Sequence, residues 1–150
     1  MKGIFHISEA SVLAIHSMVM IGLHRSTLLT TKQMAKLTSS SEAHLAKVMQ
    51  RLSRTGLVLS TRGPKGGFKL ARPAETITLL DIYEAIEGPL LSESCLMKNG
   101  KCPFRTCIFG GVSETMGKIF MDYFSTKTVA HLLKEEGMVN ELQQGDPQNS

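Results

Sequence analysis

A mainly α-helical chain with one small β-hairpin is predicted by three observations. Apolar residues recur at helical spacing in successive segments, a glycine-rich stretch separates two short runs with alternating apolar residues, and all three cysteines fall in one polar segment behind them. The order helix, helix, helix, hairpin, helix reads as a winged helix-turn-helix. The amphipathic residues after the last cysteine read as a long C-terminal helix suited to pairing two copies of the chain.

A chain of 150 residues with 42% hydrophobic content supports one compact core and an appended element. The longest apolar run, Val12 to Leu23, is interrupted by His16 and Ser17 and falls short of the roughly 20 residues that cross a bilayer. The start, Met1-Lys-Gly-Ile-Phe-His, lacks the apolar core and cleavage site of a signal peptide, so a cytoplasmic protein without a membrane partner is expected. Three cysteines do not make a secreted disulfide framework; clustered thiols in a reducing compartment point to metal binding or redox chemistry. A net charge of +4 favours a nucleic acid only if the positive groups gather on one face.

The first helix opens at Ser8, a hydroxyl N-cap, with Glu9 at the positive end of the helix dipole, and its apolar residues from Val12 to Leu23 predict burial on most sides. Thr30 and Gln33 have capping-box spacing for a second helix. Ser39 and Glu42 repeat that spacing for a third, which ends at Gly56. Two short helices joined by a polar turn make a helix-turn-helix.

In the third helix Leu45, Val48, Met49 and Leu52 occupy i, i+3, i+4 and i+7 and face a core. His44, Lys47, Arg51 and Arg54 form a second stripe with no acid between Glu42 and a point well past Gly56, so this helix is expected to meet phosphates and bases. The bland alternative is a solvated charged face. The segments on either side of Gly63-Pro-Lys-Gly-Gly67 alternate like strands, and the glycines supply the unusual backbone angles of a hairpin tip. Placed directly after a helix-turn-helix, with Arg62 and Lys65 at its tip, this hairpin is a wing. The residues expected toward DNA are Ser40, Ser41, His44, Lys47, Arg51, Arg62 and Lys65.

Thr78 and Asp81 cap a fourth helix, whose stripe Leu79, Ile82, Tyr83 and Ile86 reads as core and which Gly88-Pro89 stops. A single helix from Ser113 to Glu136 would be roughly 36 Å long, more than a small domain buries against itself, unless Thr126-Lys127-Thr128 breaks it. The expected organisation is a DNA-binding domain over 1–90, a cysteine loop over 91–110, a dimerisation helix over 111–140 and a flexible tail over 141–150.

The pattern Ser41-xxx-Leu45-xxx-Met49-xx-Leu52-xxx-Gly56-Leu57-Val58-x-Ser60-x-Arg62-Gly63-Pro64-x-Gly66-Gly67-Phe68-x-Leu70-Ala71, with the cysteine loop behind it, resembles the helix-and-wing signature of the Rrf2 family of bacterial regulators. The resemblance spans about residues 7–136. It implies a homodimer on a palindromic double-stranded DNA operator, held by the helix after the cysteines. In the three-cysteine branch it also implies an iron–sulfur cluster, [2Fe–2S] or [4Fe–4S], whose state governs DNA binding, most often repression. Cys95, Cys102 and Cys107 are then the cluster ligands. Their Cys-x6-Cys-x4-Cys spacing departs from the Cys-x5-Cys-x5-Cys of IscR-like members, and the position of the ligand histidine in those members is Gly110 here. NsrR-like members use an Asp near the start of the first helix, whereas the first Asp of this chain is Asp81.

Soft thiolates suit iron–sulfur clusters, and a set of three leaves one iron to a weaker, exchangeable ligand, a basis for sensing redox state, nitric oxide or iron supply. His16 and Glu9, both on the first helix, are the candidates for that ligand; each also has a structural reading, as a core histidine and as a helix-dipole carboxylate. A metal-free thiol switch and a structural zinc site stay open beside the cluster. An enzyme is not expected, because the chain has no Cys-x-x-Cys and no nucleotide-binding fingerprint.

Overall fold

The computed structural model describes residues 7–90 and 102–134. Its elements are α1 (Glu9–Leu23), α2 (Thr31–Thr38), α3 (Glu42–Arg54), β1 (Val58–Thr61), β2 (Gly67–Leu70), a 3₁₀ turn (Ala74–Thr76), α4 (Leu79–Glu87), α5 (Val112–Thr126) and α6 (Val129–Lys134). Among them no helix is long and apolar enough to cross a membrane.

α1 is the axis on which the other elements pack: α3, α4, α6 and β2 all lie against it. Its start is fixed as the sequence predicts, with the Ser8 hydroxyl accepting from the Ser11 amide at 3.1 Å. Ala14 and Met18 are fully buried, while Glu9, Val12 and His16 form one exposed stripe at i, i+3 and i+7. Gly22 lets α6 come close, since a β-carbon there would stand 3.1 Å from Leu133 Cδ1.

The Thr30–Gln33 capping box forms, with the Thr30 amide donating to Gln33 Oε1 at 2.8 Å. The cap of α3 differs from the Ser39–Glu42 pairing predicted above. Ser39 instead closes α2 in a left-handed conformation (φ 51°), and Ser41 is the N-cap, accepting from the His44 amide. Three serines in a row offer hydroxyl caps in several registers; the left-handed turn at Ser39 selects the third. From α3, Leu45, Val48, Met49 and Leu52 are at most 2% exposed, and each such side chain contributes about 1.5–3 kcal/mol by leaving water.

β1 and β2 pair antiparallel from Val58–Leu70 to Thr61–Gly67, leaving residues 62–66 as the tip. A third edge was not legible in the sequence: Leu29 and Phe68 exchange backbone hydrogen bonds of 3.3 and 2.9 Å, which fasten the hairpin to the segment entering α2. Gly67 is required there. Its φ is +147°, and an added β-carbon would lie 2.9 Å from the Leu29 carbonyl oxygen.

The segment read as one helix from Ser113 to Glu136 breaks at Lys127. The Leu79 amide donates to the Lys127 carbonyl at 2.9 Å and the Val129 amide to the Ile77 carbonyl at 2.9 Å, so the break is a bridge to the strand-like residues before α4. α6 then folds back onto α1 and buries Val129 and Ala130. The chain thus covers with its own α1 an apolar face that the sequence reading gave to a second copy.

At α4 both halves of the Thr78–Asp81 capping box are present, at 2.9 and 3.0 Å. Thr78→Ala is expected to lower stability by about 1 kcal/mol, read as a fall in the urea midpoint at unchanged slope.

Candidate nucleic-acid interface and cysteine loop

The outward face of α3 follows from its inward one. With Leu45, Val48, Met49 and Leu52 in the core, the opposite side carries Ala43, Lys47, Gln50 and Arg54 at i, i+4, i+7 and i+11, all exposed. A groove of about 430 Å³ separates α3 from the wing, lined by Ala46, Lys47, Gln50 and Ser53 on one side and Ser60 and Phe68 on the other. Arg62 and Lys65 are exposed at the hairpin tip. Among the described residues the one ion pair is Arg72–Asp81 at 3.4 Å, so Lys47, Arg54, Arg62 and Lys65 have no carboxylate partner there and present a positive surface.

The other residues predicted to face DNA divide. Ser41 is exposed and caps α3, Ser40 shares a 2.8 Å hydroxyl contact with Thr38 at the turn, and His44 is half-buried. Arg51 is exposed on the predicted stripe and also reaches a neighbouring element. Its Nη1 donates to the Ile86 carbonyl at 3.0 Å, which turns the guanidinium toward the last turn of α4. Sequence reasoning did not single out Ala43, Ala46 and Gln50 on this side of α3; Ala43 and Gln50 lie one helical turn from Lys47 and Ala46 directly precedes it, and none carries the charge by which the stripe was recognised.

Behind α4, Cys102 and Cys107 are both exposed, on a segment that reverses at Gly110 (φ 61°) and Gly111 (φ 73°) before α5 begins. The Gly110 amide closes that turn on the Cys107 carbonyl at 2.9 Å. Exposed Phe104, Ile108 and Phe109 flank the thiols. Cys95 lies outside the described residues. Two outward thiols on a glycine-hinged segment fit in kind a soft-metal or cluster ligand set, although the described residues alone contain no group of three donors able to hold a metal ion. Of the fourth-ligand candidates, Glu9 is exposed, and His16 is exposed with Nδ1 2.7 Å from the Val12 carbonyl oxygen. A carbonyl can only accept, so Nδ1 carries the hydrogen and Nε2 the lone pair of the neutral ring.

α5 joins this segment to α4 through rings. Phe120 and Phe124 stack at 4.0 Å between centroids, and Tyr83 sets an edge against each at 5.3 and 5.8 Å. Burial, and then the charge of Glu87, push the Tyr83 phenol above its ordinary value, so it stays protonated at neutral pH. An adjoining face of α5 leaves Val112, Ile119 and Tyr123 exposed at i, i+7 and i+11.

The family model described as Rrf2, iron-dependent transcriptional regulator, matches residues 7–135. The chain belongs to the Rrf2 family. This Rrf2 protein is 32% identical over 126 residues to an Aquifex aeolicus (strain VF5) protein that carries the name HTH-type transcriptional regulator, covering 82% of this chain and 88% of that one. Over 60 residues, 40% of this chain and 39% of the relative, it is 43% identical to the HTH-type transcriptional regulator IscR of Cereibacter sphaeroides. Among solved structures, CymR, the global cysteine regulator of B. subtilis, superposes with a TM-score of 0.74 at 23% identity, covering 86% of this chain and 96% of that one. T. potens IscR superposes with a TM-score of 0.71 at 23% identity, covering 97% and 94%. These likenesses carry the fold, a winged helix, and the family carries the function: a DNA-binding regulator of transcription, not an enzyme.

Proposed function

We propose that this Rrf2 protein is a homodimeric repressor whose hold on a palindromic operator depends on an iron–sulfur cluster at Cys95, Cys102 and Cys107, with His16 or Glu9 as the further ligand. The observation that carries the reading is the position of the cysteines. They fall between α4, which is bonded to the recognition helix α3, and α5, whose exposed Val112, Ile119 and Tyr123 offer a face to a second copy. When bound, the cluster supplies iron centres sensitive to oxidation, nitric oxide and iron loss. The chain's own part is to hold α3 in the major groove, to place Arg62 and Lys65 of the wing on the backbone or minor groove, and to space two such units about 34 Å apart. A change in that spacing alters operator affinity.

A second reading is supported by the exposure of both Cys102 and Cys107: a metal-free thiol switch on the same fold. S. aureus CymR, 23% identical with a TM-score of 0.71, has been solved in an oxidised form. Zinc at the same thiols is the third. Metal and sulfide content separates the three.

The DNA half of the proposal is tested by Lys47→Ala and Arg62→Ala. Each is expected to weaken operator binding by about 1 kcal/mol, roughly fivefold, and to lower the salt slope by about one, as loss of a phosphate contact does. Unchanged affinity and slope in both variants would place the DNA surface elsewhere.

A further inference from the structure

We propose that Arg51 is a positioning residue, not a DNA contact: it couples the end of α4, where the chain enters the cysteine segment, to the recognition helix. This rests on the reading that the state of the cysteines governs operator binding. Arg51 belongs by sequence to the cationic stripe of α3, yet its Nη1 is bonded across 35 residues to the Ile86 carbonyl at 3.0 Å. That carbonyl lies in the last turn of α4, where intrahelical donors run out. The amide that helical continuation would have brought to it, that of Leu90, donates at 3.0 Å to the Glu84 carboxylate instead. Gly88 leaves the helix at φ +85°, and Pro89 brings no amide hydrogen. A guanidinium is well suited to that helix end, because its charge meets the negative pole of the dipole.

The same turn is gripped from a second side. The hydroxyls of Ser8 and Ser11, at the start of α1, both donate to Glu87 Oε1. The last turn of α4 is therefore a junction of α1, α3 and the chain leading to Cys95, five residues beyond Leu90. Along α3, Arg51 stands one turn from Lys47, so a shift of the Ile86 carbonyl acts on α3 next to its outward face. The bond takes one of the five N–H donors of a side chain that is otherwise exposed, so the salt slope is what separates positioning from a phosphate contact.

The test measures operator affinity against salt for wild-type, Arg51→Met and Arg51→Lys protein, each prepared anaerobically in cluster-loaded and cluster-free form. Amide hydrogen exchange over residues 42–54 and 84–90 is followed in the cluster-free samples. Arg51→Met keeps the length of the side chain without its donors, and Arg51→Lys keeps a charged donor. The expected result is that Arg51→Met brings the loaded-to-free affinity ratio to within about twofold of one while the salt slope stays that of wild type. Exchange should quicken at both segments, and Arg51→Lys should retain most of the wild-type ratio and protection. If Arg51→Met weakens both forms equally and lowers the slope by about one, Arg51 is a phosphate contact and the proposal fails. It also fails if a clear wild-type ratio survives in Arg51→Met with exchange unchanged. A wild-type ratio of one would instead remove the reading on which the inference rests.

Discussion

Cys102→Ala protein purified without oxygen is expected to be colourless and to carry neither iron nor acid-labile sulfide, where the wild type is brown and carries both in matched amounts. A cluster held by three thiolates and one weaker ligand has no thiolate to spare: removing one leaves two soft donors, too few to hold iron and sulfide in the cluster. The substitution should cost the fold little. Cys102 is exposed and outside the core, so unfolding free energy should stay within about 0.5 kcal/mol of wild type. That separation of metal content from stability makes the variant informative. Visible absorption with iron and sulfide assays reads the first, and urea unfolding the second. Wild-type protein with zinc and no sulfide would favour the zinc reading. Wild-type protein with no metal, even after anaerobic reconstitution, and a Cys102–Cys107 disulfide formed on oxidation would favour the thiol switch.

Gly66→Ala is expected to lower operator affinity at least tenfold through the wing alone. A β-carbon at Gly66 would stand 2.2 Å from the Thr61 carbonyl oxygen and 2.9 Å from that of Gly63, both backbone atoms of the same turn, so no side chain can move aside to admit it. The Gly66 amide also closes the tip on the Gly63 carbonyl at 2.9 Å. The tip must open, at a cost of about 1–3 kcal/mol, and Arg62 and Lys65 leave their places together. Losing two cationic contacts at about 1 kcal/mol each is a factor of roughly thirty in affinity, with a salt slope lower by about two. Gly56→Ala is the contrast. Gly56 also has a positive φ of 72°, but no atom lies within 4 Å of the position its β-carbon would take. Its substitution should cost backbone strain of about 1 kcal/mol and leave the salt slope alone.

Most of the winged helix was legible because its signals are local. The stripes of α3 and α4, the Thr30 and Thr78 caps and the glycines of the hairpin tip each depend on residues within a few positions of one another. What sequence reasoning missed is long-range. The bridge between Leu29 and Phe68 joins segments with no shared pattern, and Leu29 reads only as part of a connection. The break at Lys127 falls where Thr126-Lys127-Thr128 allowed it, but the backbone hydrogen bonds to Ile77 and Leu79 that set it are ones periodicity cannot register. Gly22 carried a usable sign of α6, since a glycine inside a helical pattern often marks a close neighbour. Arg51 is the instructive residue at the candidate site. Spacing placed it on the cationic stripe, but that stripe spans almost a quarter of the helix circumference, and there the exposed Arg51 also reaches the last turn of α4. Periodicity gives a face; the neighbouring element decides which end of that face meets a ligand. For the cysteines the sequence supplied the donor type and the spacing, and the structure adds the exposure of Cys102 and Cys107.

The most direct test of the account is the operator affinity of cluster-loaded and cluster-free protein, titrated side by side without oxygen at one fixed salt concentration. The two forms are expected to differ by about tenfold or more, a coupling of about 1.4 kcal/mol, and Cys102→Ala to behave as the cluster-free form whatever its treatment. Equal affinities for the two wild-type forms would contradict it, leaving a DNA-binding Rrf2 protein whose cysteines do not govern its hold on DNA.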